Sequence, residues 1–391
     1  MLLSLALIMI MGFSLSGIFN RIHLPGLLGM ILTGIILGPF TLNFISEDIL
    51  NISTELRQIA LIIILTRAGL AIDIKDLKKV GRPAVLMCFV PATFEILAVM
   101  FFAPLLLDIS LLDAALMGTV LAAVSPAVIV PRMLHLMESG HGTKKNIPQL
   151  IMAGASVDDI YVIILFTALM GLSGGESFQL STFIEVPVSI VSGLALGVIS
   201  GVIMVYLFKK IHMRDTVKVI LILCTAFLFV SLESYIKPIF PVSGLLAVMA
   251  VGGTILKLYE PLAKRLKGKF SKIWVGAEIL LFVLVGAAVN LSYVSHAGFK
   301  AVALILLALC IRVIGVQLSL LKTSLNIKER LFCAIAYLPK ATVQAAIGAL
   351  PLAAGLDAGP VILAVAVMAI MITAPLGAIG IDLSYKKWLG Q

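Results

Sequence analysis

The sequence predicts an all-α polytopic membrane protein of about thirteen transmembrane helices, arranged as two inverted repeats with crossed broken helices. Three observations lead there. Hydrophobic residues make up 61% of the 391 positions and charged residues only 13%, against roughly 25% charged in soluble domains, and the mean hydropathy is +1.16. Lys and Arg crowd into alternate connections between the apolar stretches. The chain also resembles itself at an offset of 217 residues.

A bilayer-spanning helix needs about 20 apolar residues, and the chain supplies thirteen such stretches. The first, 2–19, starts at Met1 without a charged segment before it or a small-residue cleavage site after it, and reads as a retained helix. Spans 25–44 and 57–73 follow, the latter closed by Lys75, Lys78, Lys79 and Arg82. Spans 84–107 and 112–135 lead to Arg132, Lys144 and Lys145, and spans 149–173 and 184–208 to Lys209, Lys210, Arg214 and Lys218. Spans 217–235 and 241–258 precede the densest basic stretch, Lys257 to Lys272. Spans 273–292 and 299–321 end at Lys322, Lys328 and Arg330, and spans 331–351 and 359–381 at Lys386 and Lys387. Little remains for a soluble domain, so 1–391 forms one membrane unit.

The connections after odd-numbered spans, with Arg21 and the C-terminal tail, hold 23 of the 29 Lys and Arg residues; the even connections hold only Arg57, Lys237 and Lys300. By the positive-inside rule the N-terminus lies outside and the C-terminus in the cytoplasm, in a multi-pass protein of the cell membrane. A miscounted span would destroy the alternation. These loops account for the net charge of +9, which leaves no basic patch for nucleic acid. Cys88, Cys224, Cys310 and Cys333 all fall inside spans with no CxxC or Cys/His spacing, and read as small apolar residues.

Shifting the chain by 217 residues lays Ile63–Asp73 over Leu280–Asn290, with Gly69 on Gly286, and Leu121–Pro131 over Leu338–Gly348. It also lays Glu95 on Arg312. A displacement of seven spans, an odd number, inverts the second repeat relative to the first: spans 1–6 against 8–13, with span 7 as connector. Inverted repeats with one broken helix each place a transport site where the breaks meet at mid-membrane. Pro126 and Pro131 in one span, and Pro339 in its counterpart, remove backbone donors and mark the breaks. Unwound backbone of this kind is tolerated only when buried in protein or lining a wet cavity.

Asp158 and Asp159 stand together inside the apolar stretch Ile151–Met170 with no basic residue nearby in sequence. Each ionised Asp costs at least about 2.5 kcal/mol at the centre of a membrane helix, so the pair marks a functional site. Two adjacent acids titrate as a coupled pair, which suits a site that trades protons for a small cation. Adjacent helical residues point about 100° apart, so the two cannot face one ligand equally. Glu95 and Arg312, brought together by a pseudo-two-fold axis, would satisfy each other as an intramembrane ion pair. Lys340 is a second cation near the site, suited to holding the broken span. Ser125 and Thr342, at equivalent positions of the breaks, can supply further oxygen ligands.

Ser125-Pro-Ala-Val-Ile-Val-Pro131, Ser156-Val-Asp-Asp-Ile160 and Leu338-Pro-Lys-Ala-Thr-Val-Gln-Ala-Ala-Ile-Gly348, in this order and with Glu95 and Arg312, resemble the monovalent cation/proton antiporter superfamily. The likeness is to the NHA-type sodium/proton antiporters, which carry an Asp-Asp motif, and it spans essentially the whole chain. The resemblance implies an NhaA-like antiporter fold and a homodimer in the membrane lipid, with no cofactor. It implies exchange of Na⁺ or Li⁺ for H⁺ by an elevator-like movement, and hence a role in pH homeostasis. A core of 83–175 (spans 4–6) and 297–391 (spans 11–13) would move against a dimerisation domain of 1–82 and 176–296, the latter including the connector helix. Asp159 matches the principal ion-binding carboxylate and Asp158 its acidic neighbour. Many relatives carry Lys at the position of Arg312, and Arg holds its proton at any relevant pH, so proton release from that residue is not available here.

Other functions meet the residues less well. A K⁺/H⁺ antiporter or a Na⁺-coupled organic-anion symporter of similar architecture remains an alternative, although an organic anion calls for a larger, basic-lined cavity. An intramembrane aspartyl protease also needs two Asp residues, but from separate helices sharing one water, and no Gly-x-Gly-Asp segment occurs here.

Overall fold

A computed structural model describes residues 1–71, 81–173, 180–236 and 240–390 of the chain. Lys75, Lys78, Lys79 and Lys237 of the expected loops, and the Asp73 end of the third span, lie outside them. Among the described residues every regular element is helical, and nine helical stretches are long and apolar enough to cross a bilayer. In chain order the α-helices are α1 (Leu2–Arg21), α2 (Gly26–Leu37), α3 (Glu47–Asn51), α4 (Ser53–Gly69), α5 (Arg82–Met87), α6 (Val90–Leu107), α7 (Leu111–Ala122), α8 (Pro126–Glu138) and α9 (Ile147–Ser173). There follow α10 (Leu180–Lys210), α11 (Asp215–Ile236), α12 (Gly244–Leu258), α13 (Glu260–Ala287), α14 (Leu291–Ser319), α15 (Ile327–Ala336), α16 (Thr342–Ile347), α17 (Leu350–Ala353) and α18 (Gly359–Trp388).

Local chemistry sets the boundaries that matter for the site. α7 starts behind Ser110, whose hydroxyl accepts the Asp113 N–H at 3.1 Å. It stops at Ala122 because Pro126 disfavours the helical region for the residue before it, and Ser125 sits at φ −89°, ψ 110°. The same proline fits the first turn of α8, where its missing N–H costs nothing. α15 opens with a capping box: Asn326 accepts the Glu329 N–H at 2.9 Å, and Glu329 accepts the Asn326 N–H at 2.7 Å. Pro339 then falls in the non-helical stretch between α15 and α16.

Three details depart from the expected spans. Pro131 stands inside α8, which runs on to Glu138; losing one N–H is tolerated, and Arg132 Nη1 donates to the Val128 carbonyl at 3.1 Å. The fourth span is divided at Cys88 and Phe89, just before Pro91 in the first turn of α6. The stretch from Lys264 to Lys272, expected as a loop, is the start of α13, where Lys264 pairs with Glu260 one turn away at 2.9 Å.

The chain divides into two compact units. One comprises Met1–Thr54, Asp73–Leu169 and Leu281–Gln391. Its centre is α6 packed along α14, with both interrupted helices and α18 around them. The other comprises Glu55–Ile72 and Met170–Leu280. There Gly193, Gly197 and Gly201 of α10, each four residues apart, abut Ser243, Ala247 and Thr254 beside and along α12. Small residues at this spacing let membrane helices approach closely.

Candidate functional site

The first unit brings its two helix breaks together and stitches each to the other with polar contacts. Three consecutive carbonyls at the end of α7 lack intrahelical partners and find them elsewhere. Leu121 and Ala123 carbonyls accept from Gln344 Nε2 at 3.2 and 2.8 Å. The Ala122 carbonyl accepts from Arg312 Nη1 and from Lys340 Nζ, the latter at 3.3 Å. Beyond them the Val124 N–H donates to Asp158 Oδ2 at 2.9 Å, and the Ser125 N–H to the Pro339 carbonyl at 2.9 Å. On the other break, the Ala341 N–H donates to Gln344 Oε1 at 2.8 Å and the Lys340 N–H to Thr373 Oγ1 at 2.9 Å. Protein donors and acceptors thereby meet these backbone groups at the breaks, as a buried location requires.

The charges form one buried cluster around this crossing. Glu95, on α6, accepts Arg312 Nη1 at 2.5 Å and Lys340 Nζ at 2.6 Å on the same oxygen, Oε2. Arg312, on α14, continues from Nη2 to Asp158 Oδ2 at 3.4 Å, and its Nε donates to the Tyr337 carbonyl at 2.8 Å. Glu95, Arg312, Lys340 and Asp158 are all at most 2% exposed. Desolvated charges persist only when paired and hydrogen-bonded, and the network meets that condition for both cations and for Glu95.

The two acids on α9 are not equivalent. Asp158 is fully buried and commits Oδ2 to Val124 and Arg312, while Asp159 is only half-buried. Asp158 Oδ1, Asp159 Oδ1, Ser125 Oγ and Thr342 Oγ1 are buried atoms with no hydrogen-bond partner among the described residues. Unsatisfied buried oxygens are rare and each needs a reason. Carboxylate and hydroxyl oxygens are also what a hard cation takes as ligands.

The residues singled out from sequence thus lie in one neighbourhood of the first unit, with Pro126 and Pro339 at the breaks and Pro131 a turn inside α8. Glu95 and Arg312 are in contact, as are the breaks at Ser125 and Pro339. Gln344, Thr373 and Tyr337 were missed. Gln344 carried a readable signal: it stands three residues after Ala341, the spacing at which a Gln side chain turns back to cap its own helix. A second contact also went unread: Thr93 on α6 and Tyr161 on α9 share a hydroxyl hydrogen bond at 2.7 Å, fastening the helix of Glu95 to that of the two acids.

Comparison with known proteins places these features in context. A family model described as "Sodium/hydrogen exchanger, transmembrane" matches residues 4–383. The chain is 33% identical to the sodium/hydrogen exchanger 9B2 of Mus musculus over 373 residues, covering 92% of this chain and 68% of that one. It is 32% identical to the sodium/hydrogen exchanger 9B1 of Homo sapiens over 383 residues, covering 94% and 73%. Its fold is similar to that of the sodium proton antiporter MjNhaP1 from Methanocaldococcus jannaschii, with a TM-score of 0.84, 22% identity, and 99% and 98% of the two chains covered.

Proposed function

The chain belongs to the sodium/hydrogen exchanger family, and we propose that it works as a secondary antiporter in which Asp159 and Asp158 form one site that takes either Na⁺ (or Li⁺) or H⁺. Sodium/proton antiport by a multi-pass membrane transporter is the activity its family implies. The site assignment rests chiefly on one observation: carboxylate and hydroxyl oxygens from α9 and both breaks are buried and unpartnered beside a charge cluster that is otherwise satisfied.

Each residue has a task in this reading. Asp159, partly accessible and with a free oxygen, receives the cation. Asp158 ties α9 to the break at Val124 and to Arg312 through one oxygen, and offers the other to the ion. Ser125 and Thr342 add neutral oxygens. Arg312 and Lys340 against Glu95, Asp158 and Asp159 leave one negative charge when both aspartates are ionised. A single monovalent cation or a single proton cancels it, so the two ligands compete for the same electrostatic deficit. Arg312 keeps its proton throughout, and with Lys340 and Glu95 it holds the crossing together.

In the mechanism we favour, spans 4–6 and 11–13 carry the loaded site across the membrane as one body in an elevator-like movement, within a homodimer whose N-termini face outward and whose C-termini face the cytoplasm. The stitched crossing supports this: its hydrogen bonds join the breaks to α6, α9 and α14, so the site travels without rebuilding its backbone contacts. A pH-gradient assay in proteoliposomes, run with Na⁺, Li⁺ and K⁺ in turn, tests the reading. Gradient collapse by Na⁺ or Li⁺ is expected; collapse by K⁺ alone, or by none of the three, contradicts it.

A further inference from the structure

Tyr337 is completely buried, yet its hydroxyl has no hydrogen-bond partner among the described residues. The rest of the residue is tightly placed. Its carbonyl accepts Arg312 Nε at 2.8 Å, and the Arg312 guanidinium carbon lies 5.6 Å from the centre of its ring. The hydroxyl is seated against Gly154 on α9: a Cβ built on that glycine would overlap the phenol oxygen. Leaving a buried hydroxyl unsatisfied is costly, whereas Phe in the same place would keep the ring on Arg312 without that cost. The oxygen therefore has a use.

Its position indicates the use. Gly154 is one helical turn before Asp158, about 6 Å along the axis, and residues four apart stack on one face of a helix. Helical side chains lean back over the turn N-terminal to their own Cα, so Asp158 leans towards the opening at Gly154 that the phenol fills. Arg312 touches both residues, Asp158 from Nη2 and Tyr337 from Nε. The Asp158 oxygen not used by Val124 and Arg312, Oδ1, is likewise unpartnered.

We propose that Tyr337 is a positioning residue for the ion site: its hydroxyl donates a hydrogen bond, through one bridging water, to Asp158 Oδ1 and so holds that carboxylate oxygen in the orientation that receives the cation. A buried water needs at least two polar partners, and the two orphaned oxygens provide them. The inference rests on the Asp158/Asp159 site proposed above. The other charged and titratable groups around the pair are Arg312, Lys340, Glu95 and Asp159 on the side of the acid, with Cys88 and Cys333 on the side of the phenol. None of them donates to Asp158 Oδ1.

The test is the apparent KM for Na⁺ of exchange in proteoliposomes at one fixed pH, with kcat and the melting temperature beside it, for wild type, Tyr337→Phe and Gly154→Ala. Losing the hydrogen bond loosens a cation ligand, so KM should rise about 3–10-fold in Tyr337→Phe with kcat little changed. Gly154→Ala, which displaces the hydroxyl without deleting it, should raise KM in the same way, and combining the two changes should add nothing further. A merely structural residue lowers the melting temperature and leaves KM at the wild-type value; that outcome, or a lower KM, overturns the proposal. Asp159→Asn is run alongside. Exchange retained there sinks the site assignment itself, whereas exchange lost there with an unmoved Tyr337→Phe KM sinks only the role of the hydroxyl.

Discussion

Replacing Glu95 by Gln should be among the most destabilising single changes in the protein, because it removes the carboxylate that two buried cations share. Arg312 and Lys340 converge on Glu95 Oε2 at 2.5 and 2.6 Å. Gln leaves only a neutral amide oxygen there, and the other acceptor of Lys340 Nζ among the described residues is the Ala122 carbonyl, at 3.3 Å, while Arg312 keeps Asp158 at 3.4 Å. Breaking a buried pair by removing one partner costs about 3–5 kcal/mol, and the loss of a carboxylate shared by two cations places Glu95→Gln in that range. Arg312→Gln leaves Glu95 its Lys340 but deprives Asp158 and the Ala122 and Tyr337 carbonyls of a donor, so a loss in the same range is expected. At roughly 2 °C per kcal/mol for a chain of this size, each single change lowers the melting temperature by about 6–10 °C. In the double variant two neutral amides face each other, and its loss should fall short of the summed single losses by at least ~2 kcal/mol, or about 4 °C. The assay is a thermal double-mutant cycle in detergent, with transport measured in parallel. Losses that add to within ~0.5 kcal/mol would refute the pairing. Unchanged stability with abolished transport would move Glu95 into the proton-carrying role.

Two further outcomes follow from the same geometry. If one carboxylate pair takes either H⁺ or Na⁺, the apparent KM for Na⁺ rises as pH falls through the apparent pKa of the pair; a KM that stays flat from acid to alkaline pH excludes a shared site. Gln344→Ala frees the Leu121 and Ala123 carbonyls and the Ala341 N–H, each orphaned group costing on the order of 1–3 kcal/mol. Gln344→Glu can still accept from Ala341 but cannot donate to the two carbonyls, so it should rescue little of the melting temperature; full rescue would show that those carbonyls do not depend on the side chain.

Charge made much of the site legible in advance. Asp158, Asp159, Glu95, Arg312 and Lys340 stand out because an ionised group in an apolar span is expensive, and the 217-residue offset aligned Glu95 with Arg312 before any contact was known. Prolines revealed the breaks by the same logic of cost, although Pro131 shows its limit, since α8 absorbs it and continues to Glu138. Neutral polar residues were harder to read. Gln344, Thr373 and Tyr337 cost less to bury than a charge and so stand out less, and Gln344 reaches carbonyls 221 and 223 positions away. The unequal surroundings of the two aspartates could not be read from the residues: the pattern shows that they point in different directions, but only the fold commits Asp158 Oδ2 to Val124 and Arg312 and leaves Asp159 half-buried. The helical start of α13 was misjudged because its lysines read as a loop, while their spacing from Glu260 also suits the surface of a helix.

The central claim is that Asp159 is where cation and proton compete, and the most direct measurement is Na⁺-driven dissipation of a pH gradient in proteoliposomes carrying Asp159→Asn. A neutral amide neither takes up a proton nor compensates a bare cation. Dissipation should therefore disappear while the purified variant remains folded, with a melting temperature at or near that of wild type. Dissipation at the wild-type rate would contradict the account.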